Sequence, residues 1–216
     1  GTFMREWLSL YDSKSGERGI YNGMSAKKTV EQLNERYKDG DGKFITRRIA
    51  REDFGTNPCS EIILRSREFC NLSECVVRRE DTRESLKEKV RTATILGTFQ
   101  STLTNFRYLS REWKKNCDEE RLLGVSLTGI MDNPLTNGSK KGLDKLLEEL
   151  RDIAYETNKE WADKLGIPVS AAITCVKPSG TVSQLVDSAS GIHARHNPYY
   201  IRTVRADNKD PLCKLM

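Results

Sequence analysis

Apolar residues recur along this chain in two rhythms, and each predicts a different element. A helical rhythm over 25–42 predicts a helix with Ser25 as N-cap and Gly40 and Gly42 as its stop. Over 82–103, Leu86, Val90, Ala93, Leu96 and Gly97 fall on one face, a helix capped by Asp81. A further helix is expected near 107–115. The longest helix is expected over 138–166, with an apolar stripe of Leu143, Leu146, Leu147, Leu150, Ile153, Ala154 and Trp161 and stop signals at Gly166 and Pro168. Short β-branched or alternating runs at 61–65, 74–80, 170–176 and 199–207 predict strands, and the apolar, Gly-punctuated stretch 121–133 predicts a buried strand leading into a turn. The stretches 13–23 and 54–58 read as loops; the residue before Pro58 is pushed out of helical conformation. Strands alternating with long helices predict an α/β fold with parallel pairing.

Composition narrows the class. The 216 residues are 37% hydrophobic and 31% charged, the balance of a water-exposed globular chain able to bury a core. The net charge of +5 suits a phosphate-bearing partner, yet basic and acidic residues are interleaved without a nucleic-acid patch. No run reaches the length of a membrane span and no signal peptide is visible, so a cytoplasmic location with reduced thiols is expected. The start GTFMREW and the end DPLCKLM read as cut from something longer.

Six cysteines are present, none in a CxxC pair, which argues against a zinc ribbon. Asn57, Cys59 and Glu61 stand at alternate positions in FGTNPCSEIIL. An extended backbone there places an amide, a thiol and a carboxylate on one face: a general base beside a nucleophile or hydrogen-atom donor. Cys70 could join Cys59 across a site and supply reducing equivalents as a dithiol. The plain alternative for both is a buried structural thiol. Cys75, Cys117, Cys175 and Cys213 read as structural, and Trp113 and Trp161 as packing anchors. In KPSGTVS, residues 177–183, a strand runs into a Gly/Ser/Thr turn whose backbone N–H groups and hydroxyls can cradle a phosphate. The spacing is not that of a P-loop, and an ordinary turn is the alternative. His193 and His196 are the only histidines, with no acidic or cysteine partner at metal-ligand spacing, so no metal site is expected.

In order along nearly the whole chain, YDSKSGERGIYN, FGTNPCSEIIL, FCNLSECVVR, KVRTATILGTFQSTLT, RLLGVSLTGIMDN, KPSGTVSQL and GIHARHNPYYIRTVR resemble the catalytic part of a ribonucleotide reductase large chain. The likeness is to the adenosylcobalamin-dependent (class II) type, in particular its monomeric ribonucleoside-triphosphate reductases. The resemblance implies reduction of ribonucleoside triphosphates to 2′-deoxyribonucleotides by thiyl-radical chemistry, with adenosylcobalamin as cofactor. Cys59 resembles the radical cysteine that takes the 3′ hydrogen, Glu61 the base on the 3′ hydroxyl, and Asn57 the amide on the ribose hydroxyls. Cys70 resembles one half of the redox pair that ends as a disulfide. Ser179, Gly180 and Thr181, with Val182 and Ser183, resemble the substrate-phosphate loop.

The implied fold is part of a ten-stranded α/β barrel: its second half, plus the catalytic finger loop at about 54–62 and the phosphate loop at about 177–183. The implied partners are the remaining portion of the reductase, an N-terminal half-barrel and a C-terminal tail, and a thioredoxin-type reductant. No membrane and no direct nucleic-acid contact are expected. Three other readings stand beside this one: a di-iron-dependent (class I) large chain acting on diphosphates, a basic nucleic-acid-binding module, and a packing fragment without activity of its own.

Overall fold

A computed structural model describes residues 1–15, 19–38, 41–43, 45–50, 53–201, 203 and 205–215. The chain is α/β, and its centre is a parallel sheet. Strand β3 (Asn71–Val76) pairs in parallel with β4 (Leu123–Thr128), Leu72 opposite Gly124 and Glu74 opposite Ser126. The two strands are joined through helices α3 (Arg83–Gln100) and α4 (Arg111–Glu120). Residues 171–175 run along the other side of β4. Leu123 N–H donates to Ala172 O, Val125 N–H to Ile173 O and Cys175 N–H to Val125 O, with one bridge at Thr174. The strand expected over 170–176 is therefore present as a short, irregular third ribbon. Helix α5 (Leu143–Leu165) forms the crossover into it.

Alternation splits this sheet into two faces. On one, Cys75, Leu123, Val125 and Ile173 pack with Leu86, Val90 and Ala93 of α3 and Leu146, Leu150 and Ala154 of α5. Gly97 of α3 lies over Leu123, where a Cβ would make an ordinary contact with a Leu123 methyl at 3.5 Å. Asn158 of α5 is fully buried and pins the start of the third ribbon: Ser170 N–H donates to its Oδ1 at 2.9 Å, and its Nδ2 donates to Ser170 Oγ and Thr98 Oγ1. The opposite face carries Cys70, Leu72, Leu122, Ala172 and Cys175, covered by Ile62 and Leu64.

The N-terminal region is built differently. Helix α1 (Thr2–Ser13) buries no residue, and Phe3, Trp7 and Tyr11 stay exposed. Helix α2 (Gly23–Asn34) packs Ala26 and Val30 on Phe54. Strands β1 (Gly55–Thr56) and β2 (Ile63–Leu64) are two residues each and antiparallel. Buried charge holds this region to the sheet. Arg48 Nε lies 2.8 Å from Glu120 Oε2, its guanidinium covers the Phe54 ring at 5.0 Å, and it donates to Ile63 O. Arg65 bridges Glu120 and Glu68 from the far side. Asn34 Oδ1 accepts the N–H groups of both Arg47 and Arg48.

Several expectations need correction. Asn22, not Ser25, caps α2; its Oδ1 accepts the Ser25 N–H, and the helix ends at Asn34, ahead of Gly42. The other expected stop, Gly40, lies outside the described residues. Thr82, not Asp81, caps α3 through a reciprocal capping box with Ser85. Asp81 instead accepts from Arg78 N–H, Ser85 Oγ and Lys89 Nζ. Leu96 is 62% exposed, one residue off the buried face that Gly97 occupies. β3 begins earlier than the run at 74–80 suggested. The α4 helix lies later than 107–115. Tyr199 to Ile201, Thr203 and 205–207 form no strand, while Arg202 and Val204 lie outside the described residues. Helices α6 (Thr181–Leu185) and α7 (Pro211–Leu215) complete the chain.

Candidate active site

The chemistry-bearing residues meet on the sheet face turned away from α3 and α5. Between β1 and β2 the backbone makes a turn. Ser60 N–H donates to Asn57 O at 3.0 Å, and Ser60 has a φ of 61°, in the left-handed region. Asn57 Oδ1 accepts the Ile62 N–H at 3.0 Å and so ties the turn shut. This corrects the extended backbone expected at 57–61. Alternate spacing does not set three side chains on one face here, because the turn rotates them apart. Cys59 stands exposed at the tip. The Glu61 side chain points inward and is only 2% exposed; its Oε1 lies 4.0 Å from Lys177 Nζ. Its Oε2 is buried with no hydrogen-bond partner among the described residues.

Behind the turn two thiols flank one bare position of β4. A Cβ at Gly124 would lie 3.2 Å from Cys70 Sγ, 3.1 Å from Cys175 Sγ and 2.4 Å from a Leu72 methyl carbon. Only glycine leaves this room. Burial pushes the Cys70 thiol well up, and Cys175, Glu61 and Glu68 add to the shift. Cys175 is pushed up to about 12 by burial, with Glu61 raising and Lys177 lowering it. Both sulfurs are therefore thiols at neutral pH, suited to giving hydrogen rather than to acting as thiolates. The sequence predicts a structural role for Cys175; the fold sets it across Gly124 from Cys70, directly before the Gly/Ser loop. Cys75 lies on the other face, in the core.

The loop at 177–183 comes in from the end of the third ribbon. Ser179 is buried; its hydroxyl donates to Glu74 Oε2 at 2.8 Å and accepts the Ser183 N–H at 3.1 Å. Ser183 Oγ turns back to Gly180 O. Gly180, Thr181 and Val182 are exposed. Ser190 Oγ donates to Ser179 O, and Gly191 N–H donates to Thr128 Oγ1 at 2.8 Å, so the segment after α6 braces the loop against the end of β4. Arg195 clamps that segment by pairing with Asp132 and Asp187. The exposed side of the loop opens into a cleft of about 990 Å³, whose walls include Gln184, Arg195, His196 and Tyr200.

The fold thus gathers Glu61, Cys70 and Ser179, and adds Cys175, Lys177, Glu74 and Gly124. It leaves Cys59 and Thr181 at the periphery. Ser126, which pairs with Glu74 across the sheet, has a buried hydroxyl without a partner among the described residues. Glu61 Oε2 and Ser126 Oγ are thus two buried polar atoms free to take a further hydrogen bond. Among the described residues no cluster of metal-ligating side chains occurs, and no helix is long and apolar enough to cross a membrane.

No protein-family model matches the chain. An adenosylcobalamin-dependent ribonucleoside-triphosphate reductase of Lactobacillus delbrueckii subsp. bulgaricus is 27% identical over 224 residues, 92% of this chain and 29% of that protein. The protein of the same name from Lacticaseibacillus paracasei is 30% identical over 95% of this chain and 29% of its own length. The one from Euglena gracilis is 32% identical over 73% of this chain and 21% of its own length. A crystal structure of a B12-dependent (class II) ribonucleotide reductase matches with a TM-score of 0.57 and 26% identity, over 74% of this chain and 25% of that one. The chain is a homologue of part of these reductases, and it spans under a third of the curated relatives it matches.

Proposed function

We propose that this chain carries the radical-cysteine turn and the substrate-phosphate loop of an adenosylcobalamin-dependent ribonucleoside-triphosphate reductase. The reaction balances as ribonucleoside triphosphate plus two thiols giving 2′-deoxyribonucleoside triphosphate, a disulfide and water. One observation carries the reading: Glu61, at the end of the Cys59 turn and near Cys70, holds a buried carboxyl oxygen unpartnered among the described residues, and Lys177 lies 4.0 Å from its other oxygen.

Each residue has a role that its surroundings suit. Cys59, as a thiyl, takes the 3′ hydrogen. Glu61 Oε2 accepts the 3′ hydroxyl proton, an acceptor held dry and ready. Cys70, kept as a thiol, gives hydrogen toward C2′. Asn57 spends its Oδ1 on the turn, which leaves its Nδ2 for a ribose hydroxyl. The N–H groups and hydroxyl of 180–182 take the phosphates. The Cys59 thiol is exposed at the tip of the turn, where adenosylcobalamin would reach it and, when bound, would supply the radical. The diphosphate-reducing class I alternative is disfavoured, since the relatives named above are cobalamin-dependent.

The sheet of β3, β4 and the third ribbon is read as part of a ten-stranded barrel, with Cys59, Glu61 and Cys70 inside it. The second redox cysteine, a thioredoxin-type reductant's docking tail and the other strands are assigned to the remaining portion of a cytoplasmic enzyme, and this chain alone is inactive. The test is deoxyribonucleotide formation from CTP with adenosylcobalamin and dithiothreitol. It is run on the chain alone, on the chain with a remaining portion taken from a relative, and on Cys59→Ala in each. Activity that needs cobalamin, the added portion and Cys59 is expected. Turnover that survives Cys59→Ala overturns the assignment.

A further inference from the structure

The phosphate loop is latched to the sheet through a residue that no motif singles out. Glu74 stands in β3 on the site face, and its Oε2 receives the Ser179 hydroxyl at 2.8 Å. That hydroxyl in turn receives the N–H of Ser183 in α6 at 3.1 Å. A chain of hydrogen bonds thus runs from the backbone of the loop's far end to a carboxylate on the central sheet. Ser179 is 5% exposed and Ser183 1%, whereas Gly180 and Thr181 face solvent. Glu74 also lies near enough to Cys175 to help hold that thiol protonated, which places the anchor next to the thiols.

We propose that Glu74 is a positioning residue that, through Ser179, fixes the phosphate loop at a set distance from the thiols and Glu61. This inference rests on the reading of 177–183 as a phosphate loop and refines it. Ser179 is the latch and not a phosphate ligand, since its hydroxyl proton is committed to Glu74 and its lone pair to Ser183 N–H. Phosphate recognition then falls to the backbone of 180–182 and to Thr181 Oγ1. A carboxylate beside an anion site would repel the ligand if it faced it. Ser179, standing between the two, turns that carboxylate into a support for donors instead.

The test uses amide hydrogen exchange and tripolyphosphate binding on the full chain, with Glu74→Leu, Glu74→Gln, Ser179→Ala and Thr181→Ala. In Glu74→Leu and Ser179→Ala, exchange across 181–185 should quicken on the order of tenfold, the worth of one hydrogen bond to a charged group, while α5 amides hold their rates. Glu74→Gln, which keeps an acceptor oxygen, should restore most of the protection. Thr181→Ala should leave exchange unchanged and weaken tripolyphosphate. Unchanged exchange over 181–185 in Glu74→Leu overturns the proposal whether or not the chain binds tripolyphosphate. Quickened exchange in a chain with no affinity for tripolyphosphate keeps the latch and sinks only the phosphate reading. A Glu74→Leu chain that loses α5 protection as well overturns the positioning role in favour of a general structural one, unless Glu74→Gln restores the 181–185 segment alone.

Discussion

The sheet layer and the N-terminal region are held by opposite means. From Asn71 onward, Leu123, Val125, Leu86 and Leu150 are buried to a few per cent and the elements are long. Before it, α1 buries nothing, β1 and β2 have two residues each, and the deepest large side chain is Arg48. Apolar burial is graded: losing one methyl costs a little. A buried ion cluster is not, because removing one member strands the others without water. The turn that carries Cys59 and Glu61 is mounted on the second kind of support, the thiols on the first.

The largest expected effect tests that contrast. Arg48→Met should cost about 3 kcal/mol, the penalty for breaking its buried pair with Glu120 while Arg65 still holds that carboxylate from the other side. The loss should fall on the 54–65 segment. Hydrogen exchange read at Ile62 and Leu64 against Val125 checks it; equal loss in both regions would erase the distinction. Leu123→Ala should cost about 3 kcal/mol by cavity formation, read by urea unfolding, and should lower both regions together because the N-terminal region is docked on this sheet.

A pH effect comes next. Burial, with Glu120 beside it, pushes Glu68 from an ordinary 4.5 to about 8. The folded chain therefore holds that proton more tightly than the unfolded one. The stabilisation is complete below pH 4.5 and is lost as pH rises through about 8. The urea midpoint should fall between pH about 5 and about 9, and Glu68→Gln should flatten that fall. A slope unchanged in Glu68→Gln would move the effect to another group. Smaller still, Thr82→Ala should cost about 1 kcal/mol by removing the α3 cap, while Leu96→Lys should stay within about 0.5 kcal/mol. A larger Leu96 effect would mean that another surface covers it.

What the sequence disclosed follows the same divide. α3, α5 and β4 were legible because each shows a full amphipathic or apolar period that its core neighbours use. The start of β3 was hidden because Asn71, Ser73 and Glu74 are polar and leave Leu72 alone among them; their pairing with 123–126 makes them strand. The alternation at 199–207 promised a strand, but no partner strand stands beside the described part of it. α1 carries an amphipathic pattern that the sequence does not tie to any core neighbour, and no residue of it is buried among the described residues. At the site, Asn57, Cys59, Glu61, Cys70 and the 177–183 loop were readable as motifs. Cys175, Glu74 and Gly124 were not, since parallel pairing across β3, β4 and 171–175 brings them together from distant parts of the chain. The turn at Ser60 was invisible too: a serine at φ 61° carries no compositional sign.

The latch between Glu74 and Ser179 closes over a sequence separation of 105 residues. Joining ends that far apart carries a loop-closure penalty that the short β3–α3 contacts do not meet. On a ribosome, Glu74 is made and its strand can pair with β4 long before Ser179 has left the exit tunnel. The loop therefore docks last, onto a sheet already formed. A nascent chain halted short of Ser179 would hold Cys70 beside a paired β3 and β4 that still lack Cys175 and the phosphate loop.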